Sequence, residues 1–176
     1  CPKPCINIAS RDRNASLAMP ALKPSTPGLF VTATGTEVGK TVATCAIAAV
    51  LRRQGMRVGV CKPIASGCRR EREALVNADA EALAHFADCR LPLSTINPMR
   101  YHPPVAPAVA IEQGAPPIDD DALADALNQI AQVSDVMLVE GVGGVMVPLD
   151  DKRTVLNLAA DLGYPAVVVT GPELGT

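Results

Sequence analysis

Phe30-Val31-Thr32-Ala33-Thr34-Gly35-Thr36-Glu37-Val38-Gly39-Lys40-Thr41 joins an apolar run to the start of a helical one through a turn with two glycines. Its apolar start, Leu29 to Thr32, reads as a short strand, and a turn of glycines and threonines follows. Val42 to Gln54 then carries Ala43, Ala46, Ile47, Val50 and Leu51 at helical spacing, with Gly55 as the stop. A phosphate needs converging backbone N–H donors, a cation and a metal bridge. The turn and the helix start supply the donors, Lys40 the cation and the Thr41 hydroxyl a magnesium ligand. The stretch therefore reads as a P-loop for a nucleoside triphosphate with magnesium. The plainer alternative is a glycine turn that only redirects the chain, and the strand–turn–helix context weighs against it.

Working outward, Arg57-Val58-Gly59-Val60-Cys61 reads as a second buried strand. Strand, helix and strand make a βαβ unit, which crosses over right-handed onto a parallel sheet. A helix is expected over about 74–88, from the spacing of Leu75, Ala78, Ala82, Leu83 and Phe86. Next comes a stretch rich in proline (Pro92, Pro98, Pro103, Pro104, Pro107, Pro116, Pro117), a long loop of the kind that borders a ligand. Asp119-Asp120-Asp121 offers N-caps for a helix to about Gln132. Val136 to Val139 is a third buried strand ending at Glu140 and Gly141-Val142-Gly143-Gly144, followed by a helix over about 154–162 and a strand from Ala166 to Thr170. The fold class is α/β, a P-loop NTPase-like parallel sheet with helices on both faces and ligands at the carboxyl ends of the strands.

Length and composition agree with that class. The chain has 176 residues, 48% of them apolar, and no Trp, which suits one compact α/β domain. A net charge of −2 with no run of Lys or Arg argues against a nucleic-acid or anionic-membrane surface. Cys1, Cys5, Cys45, Cys61, Cys68 and Cys89 form no C-x-x-C pair and His85 and His102 are the only histidines, so no zinc site is expected. Scattered thiols read as free cysteines of a reducing cytoplasm, and no apolar run is long enough to span a bilayer. Residues 1–28, with five prolines, are read as a flexible extension before a P-loop domain over 29–176.

Three further residues carry charge toward the same edge. Lys62 opens Lys62-Pro63-Ile64-Ala65-Ser66-Gly67 directly after a strand, so it and Lys40 can flank one transferring phosphoryl group. A solvated loop lysine is the alternative. Glu140 follows four apolar strand residues, where a carboxylate without a cation is costly, and a magnesium shared with Thr41 is its natural partner. The alternative is an exposed glutamate at a strand end. Asp79, on a helix, is by itself a solvated residue.

Taken together, Thr36-Glu37-Val38-Gly39-Lys40-Thr41-Val42, Lys62-Pro63-Ile64-Ala65-Ser66-Gly67, Asn77-Ala78-Asp79-Ala80 and Val139-Glu140-Gly141-Val142-Gly143-Gly144 resemble the dethiobiotin synthetases in order and spacing. The resemblance runs from about Leu29 to the end. It implies ATP-dependent ring closure of 7,8-diaminononanoate with CO2 or bicarbonate, through a carbamate and a carbamic–phosphoric anhydride, in a cytoplasmic homodimer. By matching motifs, Lys62 and Lys40 are the expected catalytic lysines. Glu37, Val38, Gly39, Lys40, Thr41, Val42, Asp79, Glu140, Gly141, Val142 and Gly143 line the ATP site. Ser66 and Thr36 meet the substrate, and Thr41, Asp79 and Glu140 bind magnesium. Ala33 stands where the family often has Gly, and Gly35 where it often has Asp. The family continues beyond the stretch resembling Gly171 to Thr176, so the carboxyl-terminal part of the domain is expected to be missing, which leaves a nucleotide-binding remnant as one reading. A ParA/MinD-like switch ATPase is another, but it would carry its signature lysine where this chain has Gly35. A cobyrinic acid synthetase would add a glutaminase domain downstream.

Overall fold

A computed structural model describes residues 22–172. In chain order the main elements are β1 (Gly28–Ala33), α1 (Lys40–Arg53), β2 (Val58–Cys61), β3 (Ile64–Ala65), β4 (Arg69–Glu71), β5 (Ala74–Val76) and α2 (Ala78–Ala87). They continue with α3 (Leu93–Ile96), β6 (Met99–Arg100), α4 (Pro107–Glu112), α5 (Asp120–Gln132), β7 (Val136–Glu140), α6 (Val155–Leu162) and β8 (Ala166–Val169). The central sheet has four strands in the order β2-β7-β1-β8, and all of its pairings are parallel.

Strand alternation sends successive side chains to opposite faces, and each face meets its own helices. Val58, Val60 and Leu138 pack with Cys45 and Ala48 of α1 and Ala80, Leu83 and Ala87 of α2. On the other face Phe30, Met137 and Val139 pack with Leu123, Leu127 and Ile130 of α5 and Val155, Leu158 and Leu162 of α6. The expected α/β class, with helices on both faces of a parallel sheet, is what the chain adopts.

Four expectations need correction. The helix expected over 74–88 starts only at Ala78, capped by Asn77, whose side chain accepts from the Ala80 N–H at 3.2 Å. Residues 69–76 instead form an antiparallel hairpin, β4 with β5. Leu75 fits a helical period, yet the hairpin draws its backbone into a strand ladder. The α1 helix begins at Lys40 and not Val42, because Gly39 adopts a left-handed φ of 97° and serves as its N-cap. The Pro-rich stretch is not all loop: it holds α3, β6 and α4, with Pro107 at the first turn of α4, where no N–H is needed. Finally, packing starts before Leu29. Leu22 is 2% exposed, Thr26 donates to the Ala131 carbonyl and receives the Tyr164 hydroxyl, and the Pro27 carbonyl accepts from the Met137 N–H. Prolines suit such an extended strap as well as a disordered tail. Residues 1–21, with Cys1 and Cys5, and residues 173–176 lie outside the described residues.

Candidate functional site

The carboxyl ends of β1, β2 and β7 open onto one cavity of about 630 Å³. Its floor is the P-loop. The α1 helix opens after its N-cap Gly39 with no side-chain cap and no acidic residue in its first turn, so its first N–H groups are left for an anion. Glu37, a non-glycine residue, holds a left-handed φ of 58°, backbone strain of the kind found at ligand clamps. Lys40 Nζ donates to the Gly35 carbonyl at 3.2 Å, bending back over its own loop. Burial and the nearby Lys62 lower the Lys40 pKa.

The glycine-rich turn after β7 forms the adjoining wall. Gly141 N–H donates to Val31 and Val145 N–H to Ala33, which ties this turn to β1. A Cβ on Gly144 would lie 3.0 Å from the Thr34 carbonyl oxygen, so the close approach of the two loops requires glycine there.

At the centre is a buried ion cluster. Lys62, one residue past β2, is held by its backbone: its N–H donates to Ile96, and Asn97 Nδ2 donates to its carbonyl at 2.6 Å. Its ammonium donates to Glu140 Oε1 at 2.6 Å and to Asp79 Oδ2 at 2.9 Å. The side chains of Lys62 and Glu140 are 4% and 0% exposed, and that of Asp79 43%. Burial alone would lower the Lys62 pKa, but the two carboxylates outweigh it and hold the lysine above its ordinary value. Burial opposes charge on Asp79 too, yet Lys62 keeps its carboxyl below the usual range. The α1 helix completes the cluster: Thr41 donates to Glu140 Oε1 at 2.9 Å and Thr44 to Oε2 at 2.7 Å.

Most residues expected from the sequence meet here. Thr36, Glu37, Gly39, Lys40, Thr41, Val42, Lys62, Ser66, Asp79, Val142 and Gly143 line the cavity, and Glu140 lies just beneath through Lys62 and Thr41. Val38 and Gly141 do not line it; a Cβ on Gly141 would meet Val155 and Phe30, so it packs into the core. Among the described residues the buried Ser66 hydroxyl oxygen finds no hydrogen-bond partner at the cavity wall, a position suited to a ligand polar group. Thr44 and Asn97 were missed, although each is a polar residue at a buried position among apolar neighbours, which is the available signal. Pro104, Val105 and Ala106 line the cavity as well, so the Pro-rich stretch does border the site.

The donors around Lys62 suit a hard divalent cation. Asp79, Glu140 and Thr41 offer two carboxylates and a hydroxyl, oxygen ligands that leave room for phosphate oxygens and water, as magnesium prefers. Among the described residues no group of three or more His, Cys, Asp or Glu converges as a metal cage, and no helix is long and apolar enough to cross a membrane.

Parallel sheet, P-loop and convergent lysines define a P-loop nucleotide-binding α/β domain. Consistent with this, the profile of the family AAA_26, described as an AAA domain, matches residues 27–176, and the chain belongs to that family. It is 38% identical over 146 residues to ATP-dependent dethiobiotin synthetase BioD 1 of Escherichia coli, covering 83% of this chain and 65% of that protein. The BioD proteins of Chromohalobacter salexigens (39% over 147 residues; 83% and 62%) and Pseudomonas paraeruginosa (36% over 150 residues; 85% and 66%) are similar in the same way. The resemblance seen in the motifs is thus borne out, and the chain spans a little under two thirds of the length of these relatives.

Proposed function

We propose that this chain carries the catalytic half-site of an ATP-dependent dethiobiotin synthetase, a carbon–nitrogen ligase of biotin biosynthesis. The observation that carries the reading is Lys62, buried and fixed between Glu140 and Asp79 beside the P-loop. An ordinary phosphate-binding loop needs no second buried lysine. A reaction that brings two anions together, a carbamate and a γ-phosphate, does.

In this reading one amine of 7,8-diaminononanoate adds to CO2 and loses a proton, giving a carbamate. A carbamate oxygen attacks the γ-phosphorus of ATP, forming the carbamic–phosphoric anhydride and releasing ADP. The second amine attacks the carbamoyl carbon, phosphate leaves, and the loss of an amine proton completes the cyclic urea. Lys40 and the N–H groups opening α1 bind the nucleotide phosphates. Lys62 balances charge on the carbamate, and Ser66 and Thr36 orient the diamine. Thr41, Asp79 and Glu140 would hold magnesium, which when bound neutralises phosphate charge. The reading includes a cytoplasmic homodimer with the diamine near the subunit interface.

The test is phosphate release from ATP, with and without diaminononanoate and bicarbonate. Release that requires both is expected. Release indifferent to the diamine would overturn the reading in favour of a switch ATPase.

A further inference from the structure

Glu140 accepts three hydrogen bonds, and they divide unequally between its two oxygens. Oε1 takes Thr41 and Lys62, both of which line the cavity. Oε2 takes Thr44, which is 0% exposed and lies outside the cavity lining. Thr41 and Thr44 are three residues apart on α1, so one helical face presents both hydroxyls to the end of β7. Thr44 also lies 2.9 Å from the Lys40 carbonyl, but it has one proton, and a carboxylate is the stronger acceptor. The fully buried carboxylate therefore has one oxygen fixed from the interior and the other turned toward the cavity.

We propose that Thr44 is the positioning residue of Glu140: by holding Oε2 it presents Oε1 to the divalent cation that accompanies the nucleotide. The inference rests on the reading of Thr41, Asp79 and Glu140 as the magnesium set. Thr41 and Lys62 share the oxygen that a cation would use. Thr44 holds the other, so its bond can persist whether Oε1 meets the ammonium or a metal. Without the hydroxyl, Oε2 is a buried acceptor lacking its partner, and the carboxylate loses the constraint on its rotation.

Titration calorimetry with the β,γ-imido analogue of ATP, in magnesium and in EDTA, tests this on the 176-residue chain, with Thr44→Val and Thr44→Ser beside the wild type. Wild type should bind more tightly in magnesium. Thr44→Val, which keeps the side-chain shape, should lose about tenfold or more in the magnesium arm, the scale of outer-shell ligand effects, with no change in EDTA. Thr44→Ser should restore the magnesium gain. A Val variant that keeps the full gain, a loss equal in both arms, or a Ser variant that behaves like Val would overturn the positioning role. A wild type indifferent to magnesium would instead overturn the metal assignment itself, and the role of Thr44 with it.

Discussion

The parallel pair β2 and β7 carries an ion pair at each end, and the two differ in nearly everything but their origin. At the amino end Arg57, just before β2, meets Asp135, just before β7; at the carboxyl end Lys62, just after β2, meets Glu140, the last residue of β7. One register, Val58 with Val136 through Cys61 with Val139, brings both pairs together. Arg57 and Asp135 remain 68% and 43% exposed, whereas Lys62 and Glu140 are at 4% and 0%. Among the described residues nothing buries the first pair. The second lies under α1, α2 and the P-loop, in a medium where an unpaired charge is costly and a fixed one can act on a ligand. The same strand geometry thus yields a solvated clasp at one end and a buried ion cluster, the candidate site, at the other.

The two ends should differ most at Lys62. Lys62→Ala should lower diamine-dependent phosphate release by about 10²–10³-fold, the range for removing one preorganised charge donor, while calorimetry still finds the nucleotide bound. Turnover near wild type would end the claim that the buried pair is the chemical one.

Next in size, Glu140→Ala should destabilise the fold by about 3 kcal/mol in urea denaturation, because it removes the buried carboxylate partner of Lys62 and leaves that ammonium only the partly exposed Asp79. Arg57→Ala should cost far less, since water replaces an exposed partner. Equal losses at the two ends would contradict the distinction.

A third change acts between the pairs. A Cβ on Gly59 would run into Ser134 Oγ and lie 2.5 Å from Ile130 Cγ2, so Gly59→Ala pushes α5 off β2. About 1–3 kcal/mol of stability should be lost, the usual scale of overpacking.

The smallest effect sharpens the amino end. Hydrogen bonds from the Arg57 side chain and backbone hold the Asp135 carboxyl at about 2, below the ordinary 3.8. A depressed carboxylate stabilises the fold above its unfolded value and loses that contribution as the pH falls through the folded one. The exposed pair should therefore contribute above about pH 4 and fade toward pH 2. In Arg57→Ala, which keeps the backbone N–H, Asp135 should titrate closer to 3.8 by NMR, and this part of the acid sensitivity should shrink.

Much of the site was legible before any coordinates. Lys40 and Thr41 follow from the P-loop pattern, and Lys62 and Glu140 stand directly after apolar strand runs, where charge is out of place unless used. Asp79 gained meaning only from the motif around it. The hairpin of residues 69–76 was hidden because Leu75 happens to fit a helical period, and α3 and α4 because prolines mask helices shorter than two turns. Leu22 was hidden for a related reason: a proline-spaced segment has no periodicity, and only the gap it fills gives it a place.

The sequence by itself determined the class of fold and the edge of the sheet on which the candidate site lies. Period, turn composition and strand-end charge are local properties that any reader of the chain can score. Tertiary structure alone decided that Lys62, Asp79 and Glu140 form one cluster, and that Thr44 reaches the far oxygen of Glu140. It also decided that the Arg57 pair stays in water while the Lys62 pair leaves it. Those outcomes depend on which strands become neighbours and which helices cover their ends, and residues 78 positions apart in the chain meet only once the sheet has closed.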